Sequence, residues 1–121
     1  MDIIISNTSS QPIYLQIADQ IKRQILKGEI EHGFYLPSIR MLAKELQVSV
    51  ITTKNGYQVL EKEGLIKSVK GRGFYVSAQK EDLLQDIKIK SVEKKLEDVV
   101  EEAKELNIPL EEVVEMLKLL Y

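Results

Sequence analysis

Apolar residues recur at every fourth position early in the chain, at Ile13, Ile17, Ile21 and Ile25, with Tyr14 and Leu26 widening the stripe. That spacing predicts an amphipathic helix. Ser10 stands where an N-cap is expected, Pro12 falls in the first turn where proline is tolerated, and Gly28 lies just past the end. After a loop holding Gly33 and Pro37, Ser38 caps a second, shorter helix. Ile39, Leu42, Ala43 and Leu46 share one of its faces, with Arg40 and Lys44 on the other. Gln47 and Val48 make a tight turn, and Ser49 caps a third helix that runs to about residue 63 and is closed by Gly64. Thr53, Gly56, Tyr57 and Leu60 form its packed face, with Gly56 small enough to admit the second helix closely. Ile51, Thr52, Lys54, Asn55 and Gln58 lie towards the other side.

Beyond Gly64 the period changes from 3.6 to 2. Residues 65–69 and 74–77 read as strands, joined by the hairpin tip Lys70-Gly71-Arg72-Gly73. Two short helices joined by a tight turn, then a hairpin, make a winged helix-turn-helix. From residue 81 to 106 the chain is helical, without Gly or Pro, and Val92, Leu96, Val99, Ala103 and Leu106 step as a heptad seam. Asn107-Ile108-Pro109 breaks it, and Leu110, Val113, Val114 and Leu117 mark a second amphipathic helix. The expected fold is therefore mostly α with a small β-hairpin wing. Residues 1–77 form a winged helix-turn-helix domain, and residues 78–121 a two-helix antiparallel dimerisation hairpin. Two such helices cannot bury their apolar faces on each other alone, and a second copy of the chain is the economical solution.

Charge then divides the molecule. The net charge of −2 over 121 residues argues against a nucleic-acid partner when taken whole. Residues 1–77, however, hold 10 basic and 7 acidic side chains, net +3, and residues 78–121 hold 7 and 12, net −5. Within residues 39–73 the count is 7 basic to 3 acidic, a local positive field suited to a polyanion. With no Cys and one His, the chain lacks disulfides, thiolate metal sites and His-rich metal sites, and fits a reducing cytoplasm. The opening MDIIISNTSS has an acidic residue where a signal peptide needs basic ones, and no apolar run approaches the ~20 residues of a membrane span.

The residues that carry chemistry point to DNA. Arg40, Thr52, Lys54, Asn55 and Gln58 can donate to phosphates or read base edges, and Lys70-Gly71-Arg72 gives the wing a basic tip able to enter a minor groove. Each has a plainer reading, as a solvated helix face or an ordinary turn. Val50 divides evenly between core, three residues before Thr53, and contact with thymine methyl groups. His32 reads as an exposed turn residue. No nucleophile–base pair, metal set or phosphate loop can be assembled, so an enzyme is the weakest reading. A winged-helix module that binds protein instead of DNA is the competing one.

The run Gly33-Phe-Tyr-Leu-Pro-Ser-Ile-Arg-Met-Leu-Ala-Lys-Glu-Leu-Gln-Val-Ser49 resembles the signature of GntR-type bacterial transcriptional regulators, continuing through Thr52-Thr53, Gly56-Tyr57, Leu60-Glu61, Gly64 and Ile66. Pro12-Ile-Tyr-Leu-Gln-Ile17 is similar to that family's first helix. The resemblance covers residues 11–77. It implies DNA contacts at Arg40, at Ser49, Val50, Ile51 and Thr52, at Lys54, and on the wing at Lys70, Gly71 and Arg72. The chain departs from the pattern at Val50 (arginine in the family), Thr53 (valine), Gly56 (alanine) and the wing's Gly73-Phe-Tyr-Val. The 44 residues after Ser77 are too few for the family's large effector domain, and the two-helix tail resembles the short YtrA-type subfamily. There the tail pairs protomers through positions such as Val92 to Leu117, and the regulators are commonly repressors of transporter operons. The implied partners are a double-stranded, pseudo-palindromic operator and a second copy of the chain, with no cofactor, no metal and no membrane. A small-molecule effector stays open; its place would be between the two parts or at the dimer seam.

Overall fold

The computed structural model describes residues 1–77 and 80–121. The elements run α1 (Ile13–Leu26), α2 (Ile39–Leu46), α3 (Val50–Lys62), β1 (Ile66–Val69), β2 (Gly73–Val76), α4 (Glu81–Glu105) and α5 (Leu110–Leu120). The chain divides into two units, Met1–Lys80 and Glu81–Tyr121. The boundary expected after Ser77 touches residues 78–79, which lie outside the described residues.

In the first unit α3 is central, packing against α1, α2 and β1. Ile17 and Ile21 from α1, Leu42 from α2, Tyr57 and Leu60 from α3, and Leu65, Ile66 and Val76 around the hairpin are fully buried. Gly56 serves a different neighbour from the one expected. A Cβ there would meet the Tyr14 carbonyl oxygen at 3.0 Å and Ile17 Cγ2 at 3.2 Å, so the missing side chain admits α1 and not α2. Tyr14 and Ile17 lie one turn apart on α1 and straddle the crossing, which sequence periodicity could not assign to a partner.

All four described helix ends that lead into a turn close in one way. A left-handed residue follows the helix: Gly28 (φ 79°), Gln47 (φ 56°), Gly64 (φ 79°) and Asn107 (φ 56°). At each, the next residue's N–H bonds back five positions, as Val48 does to Ala43 (3.0 Å), Leu65 to Leu60 (3.0 Å) and Ile108 to Ala103 (2.8 Å). This is the Schellman arrangement, which satisfies carbonyls that the helix itself leaves without donors. The helix starts differ. Ser38 and Ser49 cap α2 and α3, accepting from the Met41 and Thr52 amides. Ser10 does not cap α1. Pro12 holds that position without a side-chain bond, and its carbonyl accepts from Leu15 and Gln16 (both 3.1 Å).

The strands pair antiparallel with Ile66 opposite Val76 and Val69 opposite Gly73; against the expected limits they end as foreseen at Val69, stop one residue short at Ile66 and Val76, and reach one residue further at Gly73. The hairpin also has a third edge that periodicity missed. Tyr35 bridges Tyr75, flanked by bonds from the Leu36 amide to the Phe74 carbonyl (2.9 Å) and from the Val76 amide to the Phe34 carbonyl (2.8 Å). Gly33 and Pro37 bracket this strip and make it read as loop.

A further feature lies before α1. Gln16, Gln20 and Gln24 stand one helical turn apart and each binds one residue of an extended N-terminal arm. The Gln16 amide bonds the Ser6 N–H and C=O (2.9 and 3.0 Å), Gln20 those of Ile4 (2.8 and 2.7 Å), and Gln24 donates to the Asp2 carbonyl (2.7 Å). The match is geometric. Four helical residues rise about 6 Å, and two extended residues about 6.6 Å. Gln16 is buried and also donates to the Gln11 carbonyl at 2.8 Å. Gln16→Ala should therefore cost about 1–3 kcal/mol by leaving arm backbone groups unpartnered. Urea unfolding measures the loss, and cleavage of residues 1–8 by a dilute protease should quicken; an arm protected as before would contradict the ladder.

In the second unit the expected helices and break are present. Ala103 is buried and Val113 partly so. Val92, Leu96, Val99, Leu106, Leu110, Val114 and Leu117 are exposed. Most of the seam is therefore left uncovered in the single chain.

Candidate nucleic-acid interface

α2, the Gln47–Val48 turn and α3 set out the residues nominated from the sequence. Caps fix both helices at their first turns. Ser49 Oγ accepts from the Thr52 amide (3.0 Å) and donates to Thr52 Oγ1 (2.7 Å), while Thr53 Oγ1 donates back to the Ser49 carbonyl (3.2 Å). Ser49 is thus engaged in shaping the start of α3. Tyr57 ties α3 to the start of α2, its hydroxyl donating to the Pro37 carbonyl at 2.7 Å. Burial pushes the Tyr57 phenol well above the ordinary tyrosine range, and the Glu45 carboxylate adds to the shift. The phenol stays a donor at any physiological pH.

With that face of α3 buried, the opposite one is offered to solvent. Lys54, Asn55 and Gln58 are exposed, as are Arg40 and Lys44 on α2. Ile51 is 64% exposed, and Val50 is 41% exposed, which settles its divided reading against core. Met41 on α2 is exposed too, an apolar surface residue that the sequence reading passed over.

The wing tip presents Lys70, Gly71 and Arg72 to solvent. Gly71 (φ 82°) and Gly73 (φ 93°) take the left-handed conformations the turn demands. The Arg72 guanidinium carbon sits 6.0 Å from the centroid of Tyr35, whose ring lies 5.7 Å from that of Tyr75. Tyr35 thus offers the tip arginine a ring face at the outer limit of cation–π reach. Sequence reasoning missed this role, and its only signal was a tyrosine trapped between Gly33 and Pro37. Among the described residues the one ion pair joins Lys22 and Glu63, so Arg40, Lys54, Lys70 and Arg72 are not engaged by carboxylates. No group of His, Cys, Asp or Glu among the described residues could hold a metal, and no described helix is long and apolar enough to cross a membrane.

A family model described as bacterial regulatory proteins, gntR family, matches residues 13–76, from the first residue of α1 to the last of β2. The chain belongs to the gntR family. It is 35% identical over 96% of its length to the HTH-type transcriptional repressor YtrA of Bacillus subtilis, of which the match covers 89%. A GntR family transcriptional regulator from Listeria monocytogenes superposes with a TM-score of 0.76 at 29% identity, over 94% of this chain and 97% of that one. The structure of AraR(DBD) in complex with operator ORX1 superposes with a TM-score of 0.56 at 26% identity, over 64% of this chain and 96% of that one.

As a gntR protein the chain carries its departures on both faces of α3. Thr53 and Gly56 are buried, and both are accommodated, by the bond to the Ser49 carbonyl and by the close approach of α1. Val50 is exposed, on the same side as Lys54.

Proposed function

We propose that the chain is a sequence-specific DNA-binding transcriptional regulator, acting as a homodimeric repressor on a pseudo-palindromic operator in the cytoplasm. The observation that carries this is the exposed basic and polar face of α3, with Lys54, Asn55 and Gln58, on a helix-turn-helix whose family is gntR. In such a frame α3 enters the major groove with its first turns towards the base edges. Arg40 and Lys54 contact phosphates or bases, and Ser49 and Thr52 hold the helix start against the backbone. Lys70, Gly71 and Arg72 reach the adjacent minor groove. The similarity to a B. subtilis repressor along nearly the whole chain supports the direction of regulation.

Pairing is assigned to Glu81–Tyr121, where Val92, Leu96, Val99, Leu106, Leu110, Val114 and Leu117 leave an apolar seam uncovered in the single chain. A surface of that kind marks an interaction site, and a second copy supplies a matching seam. Two-fold symmetry then sets the half-site centres one helical turn apart or a multiple of it.

Arg40→Ala should weaken operator binding by about 1–3 kcal/mol and reduce the slope of log affinity against log salt by about 1. A gel-shift titration at two salt concentrations measures both. Unchanged affinity would remove Arg40 from the interface. A wild-type protein that ignores every duplex at low salt would leave the face of α3 to a protein partner.

A further inference from the structure

The exposed arc of α3 mixes two chemistries. Lys54, Asn55 and Gln58 are polar, yet Ile51 and Val50 in the same first turns are 64% and 41% exposed. Single exposed aliphatics are ordinary. Here two stand in sequence at the start of the helix that carries the proposed reading face, where helix-turn-helix proteins touch base edges. At 3.6 residues per turn Ile51 falls between Gln58 and Asn55, and Val50 falls beside Lys54. The aliphatic groups are therefore part of the polar face and not a separate patch.

Each side chain has a matching feature in the major groove. Asn and Gln pair in bidentate fashion with adenine N6 and N7, and apolar side chains pack on the C5-methyl of thymine. Isoleucine and valine suit the second task because β-branching restricts χ1, so their methyl groups are held in place before DNA arrives. An adenine reader and a thymine reader on one arc fit the two halves of an A·T pair. On the N-terminal turns of α3 the side chain able to favour guanine is Lys54, the arginines nearest in sequence being Arg40 on α2 and Arg72 on the wing.

We propose that Ile51 and Val50 read thymine methyl groups, so that the half-site bound by α3 is built around A·T pairs, with Asn55 and Gln58 on adenine. This deepens the DNA-binding reading and rests on it. The residues act by excluding water from a methyl group, so their contribution should depend on that methyl and on little else.

The test starts from duplexes that the full-length protein retains from a random pool. Thymines of the half-site are then replaced one at a time by deoxyuridine, which removes the methyl and leaves the hydrogen-bonding edges unchanged. Wild-type protein should lose about fourfold in affinity at each contacted thymine, the equivalent of one buried methyl. Ile51→Ala and Val50→Ala should bind the parent duplex correspondingly less well and lose the thymine–deoxyuridine difference at their own positions. Both side chains are solvent-exposed, so the variants should fold as the wild type does. Deoxyuridine duplexes bound as tightly as their parents would overturn the proposal and leave DNA binding standing. So would a retained half-site of G·C pairs, or a deoxyuridine effect that survives in both variants. Retention of no duplex at low salt would overturn the DNA-binding reading and this inference together.

Discussion

Replacing Tyr57 with alanine should destabilise the winged-helix unit by about 3–5 kcal/mol, the range for emptying a buried aromatic site. The residue is fully buried in α3 and joins three elements. Its ring meets Phe74 of β2 edge-on at 5.3 Å, its hydroxyl bonds the Pro37 carbonyl ahead of α2, and its backbone belongs to α3. Urea unfolding of the full chain measures the loss, and a change below about 1 kcal/mol would show that the neighbours collapse into the space. Tyr57→Phe separates the contributions. It keeps the ring and removes the hydrogen bond, which should cost about 1–3 kcal/mol because the Pro37 carbonyl loses its donor. The two variants also differ in alkaline solution. Burial raises the folded-state pKa of the phenol above its ordinary value of 10.0, so the native state holds its proton longer than the unfolded chain does. That contribution is complete below pH 10 and is lost as pH rises above it. Wild type should therefore lose stability on the alkaline side relative to Tyr57→Phe, which has no such proton.

Tyr57 also marks where the sequence was legible and where it was not. Its burial followed from periodicity alone, since Thr53, Gly56, Tyr57 and Leu60 recur on one helical face. Its bond to Pro37 did not, because a contact across 20 residues leaves no trace in local spacing. The same divide runs through the fold. Ser38 and Ser49 cap their helices and Gly28 and Gly64 end theirs, as local chemistry demands. Ser10 fails as a cap because Pro12, with its fixed φ, already holds the N-cap position. The small residue at Gly56 marks a close approach, but which helix approaches is a tertiary fact. The strip around Tyr35 and the arm held by Gln16, Gln20 and Gln24 are extended segments stabilised by partners elsewhere. Their own residues show no alternation strong enough to announce them. The glutamine spacing of four was visible in the sequence, though it acquires meaning only once an extended chain lies beside it. On the candidate site, the polar arc of α3 was legible residue by residue. Val50 was not, because a position at the edge of the packed face is decided by how the first turn meets its neighbours.

If the tail seam pairs two copies as proposed, placing charge on it with Leu96→Glu and Leu117→Glu should dissociate the proposed dimer and lower affinity for a two-half-site operator by about 10²–10⁴-fold. Both residues are exposed in the single chain, so the substitutions should leave each protomer folded. In the pair they would bury carboxylates against apolar partners, a large desolvation penalty with no opposite charge beside it. The reason the effect should be large lies in the charge division. With net +3 on residues 1–77 and −5 on residues 78–121, one winged-helix unit has a modest electrostatic hold on DNA. In the proposed dimer, specific occupancy should then depend on the second half-site being engaged as an intramolecular event. Sedimentation should show dimer for wild type and monomer for the double variant, while affinity for a duplex with a single half-site stays the same for both. A double variant that remains dimeric would move the pairing surface away from this seam. One that is monomeric and still binds the full operator at wild-type strength would separate pairing from recognition.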